Sequence, residues 1–447
     1  MGLERVLAAT AAYGNPEPIE TFRRHLEPNW IEQALAATGT ATLRKRRLPV
    51  ETVVWVVLGI ALFRDRSIED VVSKLDLALP GGGGTIARSS ISQARARLGS
   101  EPMKWLFENT ANAWAHASAD ANRWRGLALY GIDGSSVRVP DTEENRGHFG
   151  GQSGRAETMS SYPMARLVTL MVLRSHLLAS AHLGPYAGTH ELEPAKELSA
   201  LIPANSLTVV DRGFLGASML LGIEDETHGK NRHWLTRAKS NSKWSVVKRL
   251  GKGDDLVEMT VTKKARAKDF SLPKTWLMRA IRYHRKGFRP QTLLTSLLDP
   301  KAYPSDEIIA LYHERWELEL GYDEIKTELL DREEAIRSKT QKGVEQELWG
   351  VLLVYNLIRL EMTAVAKEAN VEPVRISFVE SLRLIRDEWM WLAVTSPGAI
   401  PKRLAALRTN IKRYILPPRR PKRTYPRAVK IKMSGYNRKR PTAESLK

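Results

Sequence analysis

Tyr312, Arg315, Glu319 and Lys326 stand at intervals of three, four and seven within the stretch Leu311 to Leu330. At about 100° per residue on an α-helix they share a sector of roughly 60°, so one face would present a phenol, two cations and a carboxylate. That combination suits chemistry in which a hard metal ion and a phosphodiester are held together, the carboxylate on the metal and the cations on the phosphate oxygens. Asp323 lies close to the Glu319 face and competes for its role, whereas Glu314, Glu317, Glu324 and Glu328 fall on the far side. The same pattern also describes an exposed helix laced with i,i+4 ion pairs, and this stretch by itself does not choose between the two.

Two more carboxylates occur in settings that could serve the same chemistry. Asp133 lies within a β-rich run, Leu127 to Val139, and is followed by Gly134, which leaves room for close backbone approach. Asp211 closes the apolar strand that begins at Ser206. Read singly, Asp133 is a turn former, Asp211 the partner of Arg212 and Glu319 an ion-pair member. Read together, they offer three oxygen ligands to a pair of divalent ions bridging a phosphodiester.

The elements that must position them follow in order. Residues 17 to 38 carry apolar positions at helical spacing and stop at Gly39, and Arg44 to Arg47 form a basic knot. Val50 to Phe63 is apolar nearly all round, as in the central helix of a small helical domain, and Ile68 to Leu77 is a further helix. After the loop Pro80 to Gly84, Ser89 to Gly99 reads as a short, capped, basic helix. With Gln93, Arg95 and Arg97 it suits either a helix-turn-helix reader of DNA or an ordinary helical hairpin with a basic outer face. Trp105 to Trp114 continues as helix, and the first domain closes near residue 124.

From Gly126 the pattern turns to strands: Leu127 to Val139, then Ala165 to Arg174 and His176 to Leu183 after a Gly-rich segment, Gly147 to Gly154. A helix, His190 to Ile202, leads to the strand ending at Asp211, and His233 to Ala238 is a fifth strand. The order predicts a mixed α/β sheet, and open sheets place their chemistry at strand ends. Trp244 to Leu297 reads as a strand-rich insertion, and Glu345 to Ala366 and Ile376 to Trp391 as helices. The expected organisation is a helical N-terminal domain over 1–124 that binds DNA, and a catalytic domain over 125–370 with its insertion at about 240–300. A helical region over 371–416 and a basic flexible arm over 417–447 complete it.

Charge indicates the partner. The 447 residues carry a formal net charge of +19 and a pI near 9.9, which points to a polyanion. From Lys402 onward sixteen Lys or Arg face a single acid, Glu444. No amphipathic anchor or lipidation signal accompanies the charge, so nucleic acid is preferred to a membrane surface. The absence of cysteine excludes disulfides and thiolate zinc sites and favours the cytoplasm. The start lacks the pattern of a signal peptide, and the apolar run Val53 to Phe63 is shorter than the roughly 20 residues that span a bilayer.

The four positions match, without a gap, the Y-(2)-R-(3)-E-(6)-K signature of the insertion-sequence-four family of bacterial DDE transposases, which this chain resembles. The blocks Gly131-Ile132-Asp133-Gly134 and Val210-Asp211-Arg212-Gly213-Phe214 match that family around its first two catalytic acids. Trp30 to Leu35, Arg44 to Arg47 and Leu62 to Ile68 are similar to its helical N-terminal domain, so the resemblance covers most of residues 15 to 365.

The resemblance implies a ribonuclease-H-like core with a β insertion before the last catalytic helix, and cut-and-paste transposition of DNA. By motif position Asp133, Asp211 and Glu319 would ligate Mg²⁺, with Mn²⁺ as a substitute, while Tyr312, Arg315 and Lys326 would grip the end phosphates. The implied partners are transposon ends and target DNA, bound by a homodimer in the synaptic complex, in the cytoplasm and on the nucleoid when DNA-bound. Some family members hold a flipped base with a Trp of the insertion, for which Trp244 and Trp276 are candidates, each also readable as a core residue. A nuclease without strand transfer and a domesticated DNA-binding regulator are the competing functions. Intact acids at all three positions speak against the regulator.

Overall fold

The fold is seen in a computed structural model that describes residues 26, 28–40, 50–76, 87–151, 162–188, 190–224, 231–285, 289–331, 336–392 and 397–418. The expected basic knot at 44–47, the glycine loop at 80–84 and the arm from 419 lie outside these residues, as do residues 17–25 of the first expected helix.

The N-terminal region is helical: α1 (Pro28–Ala37), α2 (Val50–Leu62), α3 (Ile68–Asp76), α4 (Arg88–Leu98) and α5 (Glu101–Ala121). α2 is buried at all positions except Glu51 and Thr52, as its unbroken apolar composition requires. α4 is preceded by Ala87, which makes no side-chain cap, so Ser89 is not the cap that its type suggests. Gly99 at φ +69° ends the helix.

A single mixed sheet follows, with α6 (Glu143–Phe149) after its first strand. Its first five strands are β1 (Ala128–Arg138), β2 (Met164–Val172), β3 (Leu178–Pro185), β4 (Ser206–Val210) and β5 (Arg232–Arg237). β1, β2 and β3 form an antiparallel meander, and β4 and β5 run parallel to β1 in the order β3-β2-β1-β4-β5. This is the ribonuclease-H-like arrangement. Helices α7 (Leu192–Ser199) and α8 (Ala217–Glu224) make the crossovers.

The insertion continues this sheet. Its strands β6 (Ser245–Gly251), β7 (Asp254–Thr260), β8 (Thr275–Tyr283) and β9 (Gln291–Thr295) join through β9, antiparallel to β5, and give a nine-stranded sheet. A short helix, α9 (Lys263–Lys268), interrupts them. Arg279 of β8, fully buried, pairs with Asp254 of β7 and donates to the carbonyls of Leu297 and Tyr303. The insertion is thereby tied to the chain that enters the stretch Leu311 to Leu330.

That stretch and its approach comprise α10 (Ser305–Tyr312), a 3₁₀ turn (His313–Arg315), α11 (Trp316–Asp323) and a π-helical turn (Glu324–Leu329). Then come α12 (Gln341–Ala369), α13 (Phe378–Leu392) and α14 (Ile400–Ile411). By length and composition α12 could cross a membrane, but 83% of its most apolar window is buried. It packs against the N-terminal helices, with Phe107 and Trp349 ring centroids 5.3 Å apart and Gly350 against Val57. Arg64 and Glu347 form a fully buried ion pair across the same contact.

Two glycines let α11 lie directly on the sheet. A Cβ on Gly131 of β1 would stand 2.8 Å from both Leu318 methyls and 2.9 Å from Leu173, and one on Gly321 would stand 2.4 Å from Met171 Cε. Met171 ends in a flexible thioether that can move aside, whereas Leu318 and Leu173 close on Gly131 from two sides. Gly131→Ala is expected to lower stability by about 1–3 kcal/mol through overpacking. Denaturant titration would show this as a lower midpoint at unchanged slope.

Candidate active site

β1 and β4 bring the first two acids side by side. The last paired register is Ile132 with Val210, and Asp133 and Asp211 are each the next residue. Asp133 accepts from the Gly134 amide at 2.8 Å, and burial pushes its carboxyl up to about 6, with Glu191 and Asp211 adding to the rise. Asp211 leaves its strand and caps the following 3₁₀ turn, accepting from the Gly213 amide at 3.2 Å.

Leu311 to Leu330 is helical throughout but not one regular helix, so the 100° count fails at both ends. The 3₁₀ turn leaves Tyr312 buried near Asp211, Arg237 and Tyr283, whose charges act on its phenol. Arg315 donates to Glu319 at 2.8 Å. This is the i,i+4 pair of the plain ion-paired reading, yet Arg315 also lies close enough to Asp133 to pull that carboxyl down against its burial. Lys326, carried by the π turn, reaches Ser135 of β1 at 3.3 Å.

Asp133, Glu319 and Lys326 line one cleft of about 630 Å³, together with Ser135, Tyr322 and Asp323. Asp323 therefore stays beside Glu319 as the sequence suggests, but it is engaged differently, accepting from Thr327 at 2.7 Å. Tyr322 fixes the register of helix and sheet. Its buried hydroxyl lies 2.6 Å from the Asp133 carbonyl, to which it donates, and 2.9 Å from Thr169 Oγ1. A Tyr three residues after Glu319 is a weak signal, and only its burial reveals the role.

Three of the four acids on the far side, Glu314, Glu317 and Glu324, are structural. Glu314 is gripped by both arms of Arg174. Glu317 contacts His176 at 2.8 Å, and Glu324 takes hydrogen bonds from Tyr355 at 2.8 Å and from Arg359. Burial alone would raise the Glu324 carboxyl, but Arg359 and His176 bring it down to about 2. His176 holds its place with a left-handed backbone, φ 59°. A further carboxylate, Glu191, lies behind Asp133. Its carboxyl carbon fills the space that a Gly134 side chain would need, 2.6 Å from the ideal Cβ, and Arg166 holds it at 2.9 Å.

Other candidates are placed in the core. Trp276 is buried with its ring 5.5 Å from that of Trp234, and Trp244 packs against the same cluster. Arg95 turns inward to Gln346, Ser338 and Glu347, whereas Gln93 and Arg97, the other two candidates on α4, are exposed. Three cations counted with the basic end, Arg403, Arg408 and Lys412, are paired with Glu388, Glu361 and Glu368.

Asp133, Asp211 and Glu319 offer only oxygen, the donor set of a hard divalent cation, and a carboxylate raised by burial, as Asp133 is, gains most from such a charge. The residues fit the ion. Among the described residues no three acids or imidazoles are already drawn into an ion cage. Each acid rests on a local donor, Gly134, Gly213 or Arg315.

The chain matches the family described as insertion element 4 transposase N-terminal over residues 16–108, and that described as transposase DDE domain over residues 125–357. It is 39% identical over 420 residues to the transposase InsG for insertion sequence element IS4 of Escherichia coli (strain K12), covering 94% of this chain and 93% of the relative. It is 38% identical over 228 residues to the putative transposase InsZ of the same strain, covering 51% and 74%. Among solved structures it is similar to the piggyBac transposase synaptic complex with hairpin DNA, at a TM-score of 0.45 and 13% identity over 91% of this chain and 87% of the other. That last likeness is too remote to carry weight.

Glu324 generates a pH prediction. Its folded value near 2 lies below the ordinary carboxylate value of about 4.3, so its stabilisation is present above that value and lost as pH falls toward 2. Glu324→Gln should cost about 3–5 kcal/mol at neutral pH, because it leaves Arg359 buried without its charge partner. Melting temperatures between pH 2 and 7 would show wild type losing stability over the acid limb more steeply than the variant.

Proposed function

We propose, for a chain that belongs to the insertion element 4 family of DDE transposases, that the cleft beneath α11 cuts the ends of its own element and joins them to target DNA. The observation that carries this reading is the convergence of Asp133, Glu319 and Lys326 on one cleft, with Asp211 at the next register position on the neighbouring strand. We take Mg²⁺ as the working metal, Mn²⁺ as its substitute, and a pair of protomers as the assembly that holds two ends.

Asp133, Asp211 and Glu319 would hold a pair of divalent ions, which supply the charge that activates water and stabilises the leaving oxygen. Lys326 enters the cleft from the π turn as a point charge for a phosphate oxygen. Arg315, bonded to Glu319, can turn its planar fork to the scissile phosphate once that carboxylate has another cation to serve. Tyr312, buried near Asp211, would give a phosphate a hydroxyl rather than a charge. Tyr322 keeps the helix at one height over β1, so the spacing of the acids is set before DNA arrives.

The test is cleavage of a labelled transposon end. Asp133→Ala, Asp211→Ala and Glu319→Ala should each abolish metal-dependent cleavage with end binding nearly intact, and Asp323→Ala should be mild. An inactive Asp323→Ala beside an active Glu319→Ala would move the third ligand to Asp323.

The basic end should add affinity independent of sequence. Arg403, Arg408 and Lys412 are paired within the fold, whereas eleven of the sixteen cations lie beyond residue 418, and that affinity is assigned to those eleven. Deleting 419–447 should flatten the log–log salt dependence of binding by about 0.9 for each phosphate that the arm neutralises. An unchanged slope would remove the arm from the DNA.

A further inference from the structure

Glu191, packed against the residue that follows the first acid, has no part in the chemistry derived so far. It stands at the start of α7, where a carboxylate ordinarily settles over the free amides of the helix, yet it makes no cap hydrogen bond. Its side chain turns to β1 instead. The three atoms nearest to where a Gly134 Cβ would stand are its Cδ, Cγ and Oε1, at 2.6, 2.8 and 2.9 Å. A glycine weakens a strand, and this one makes room for a carboxylate. Beyond Ile132 the pairing of β1 with β4 ends while that with β2 runs on to Arg138, so Gly134 lines the cleft.

Arg166 fixes the acid in this place. Its guanidinium lies 2.9 Å from Glu191 Oε1, donates to the Tyr186 carbonyl at 3.2 Å and stacks 4.5 Å from the centre of the Tyr186 ring. Arg166 is itself buried and is the register partner of Ser136 on β1. It takes only one of the two carboxylate oxygens. Among the described residues Oε2 has no hydrogen-bond partner, and the side chain remains 41% exposed to water.

An ion pair accounts for Arg166 but not for where the pair is kept. Glu191 adds a like charge where Asp133 and Asp211 already oppose one another, and its field raises the Asp133 carboxyl. With no cation between them that arrangement is unfavourable. A divalent ion on Asp133 turns the same field into attraction, and carboxylates set behind the ligands of a metal commonly tune its affinity.

We propose that Glu191 is a fourth acid of the metal site, a positioning residue that stays off the ion, accepts hydrogen bonds from its water shell and tightens the hold of Asp133 on it. The inference rests on the transposase reading, in which Asp133, Asp211 and Glu319 are the ligands, and adds to it an acid from the far face of the sheet.

Glu191→Gln keeps the shape and an oxygen for Arg166 but removes the charge. Mn²⁺ uptake is followed by electron paramagnetic resonance on the full chain, bound to a duplex that stops at an already cleaved element end, so that no bond is cut during the titration. The affinity of the variant should be about 10-fold below that of wild type. In single-turnover cleavage of uncut ends its Mg²⁺ midpoint should rise by a similar factor, while the rate at saturating Mg²⁺ recovers toward the wild-type value, a split that a loosened fold would not give. Glu191→Asp, which keeps the charge, should bind Mn²⁺ within about 3-fold of wild type. Equal Mn²⁺ affinity in wild type and Glu191→Gln would overturn the proposal and leave Glu191 as the partner of Arg166 alone. A Glu191→Asp chain as weak as Glu191→Gln would assign the loss to shape and overturn it equally. A wild type that takes up Mn²⁺ yet leaves element ends uncut would fail the transposase reading alone, because the comparison of affinities still stands.

Discussion

The hydroxyl of Tyr322 bridges the Asp133 carbonyl and Thr169 Oγ1, and the rest of the site depends on that contact. Thr169 is the register partner of Asp133 across β1 and β2, so one phenol from α11 pins the helix to the rung that carries the first acid. The bond is buried, and breaking it would leave polar groups unsatisfied in a dry interface. Gly131 and Gly321 permit the close approach, and His176, Glu324 and Arg359 clamp the other side of the helix. Glu319 is held from both sides and has little freedom to choose another height over the sheet.

The buried clamp also accounts for the irregular helix. A regular α-helix through Leu329 would carry Glu324 and Lys326 to other angles, whereas the π turn keeps Glu324 on Arg359 while Lys326 faces Ser135. A π turn costs hydrogen-bond geometry and occurs mostly at functional sites. Here a buried ion pair and an active-site cation on one turn impose different directions. The three candidate acids show a related economy, since each rests on a donor within reach, and only Glu319 occupies a charged group, Arg315, that the proposed chemistry would also use.

Much of this was legible in the residues. The period-two runs around Asp133 and Asp211 located β1 and β4, because alternating and apolar strands leave that pattern wherever a sheet is covered on its faces. The fixed spacing of Tyr312, Arg315, Glu319 and Lys326 marked the catalytic segment and its family. What escaped was long-range. Glu317 and Glu324 could be placed only on the far side of the helix because their partners, His176 and Arg359, lie far off in the chain. Arg95 read as a DNA contact or as a cation of a basic outer face because nothing local shows that Gln346 and Ser338 receive it. Trp276 could be read as a base-holding residue or as core, and its packing on Trp234 makes it core. Glu191 was invisible because its place is defined by the side chain that Gly134 lacks.

In the proposed chemistry Asp133, Asp211 and Glu319, and not Asp323, meet the metal. The chain has no cysteine, so a single introduced thiol is unique. Thiolates prefer softer ions than Mg²⁺, which makes replacement of each acid by cysteine a direct probe of metal contact. The account predicts that Asp133→Cys, Asp211→Cys and Glu319→Cys are inactive in Mg²⁺ and regain cleavage in Mn²⁺, while Asp323→Cys cleaves in both. Rescue by Mn²⁺ at Asp323→Cys, with none at Glu319→Cys, would contradict it.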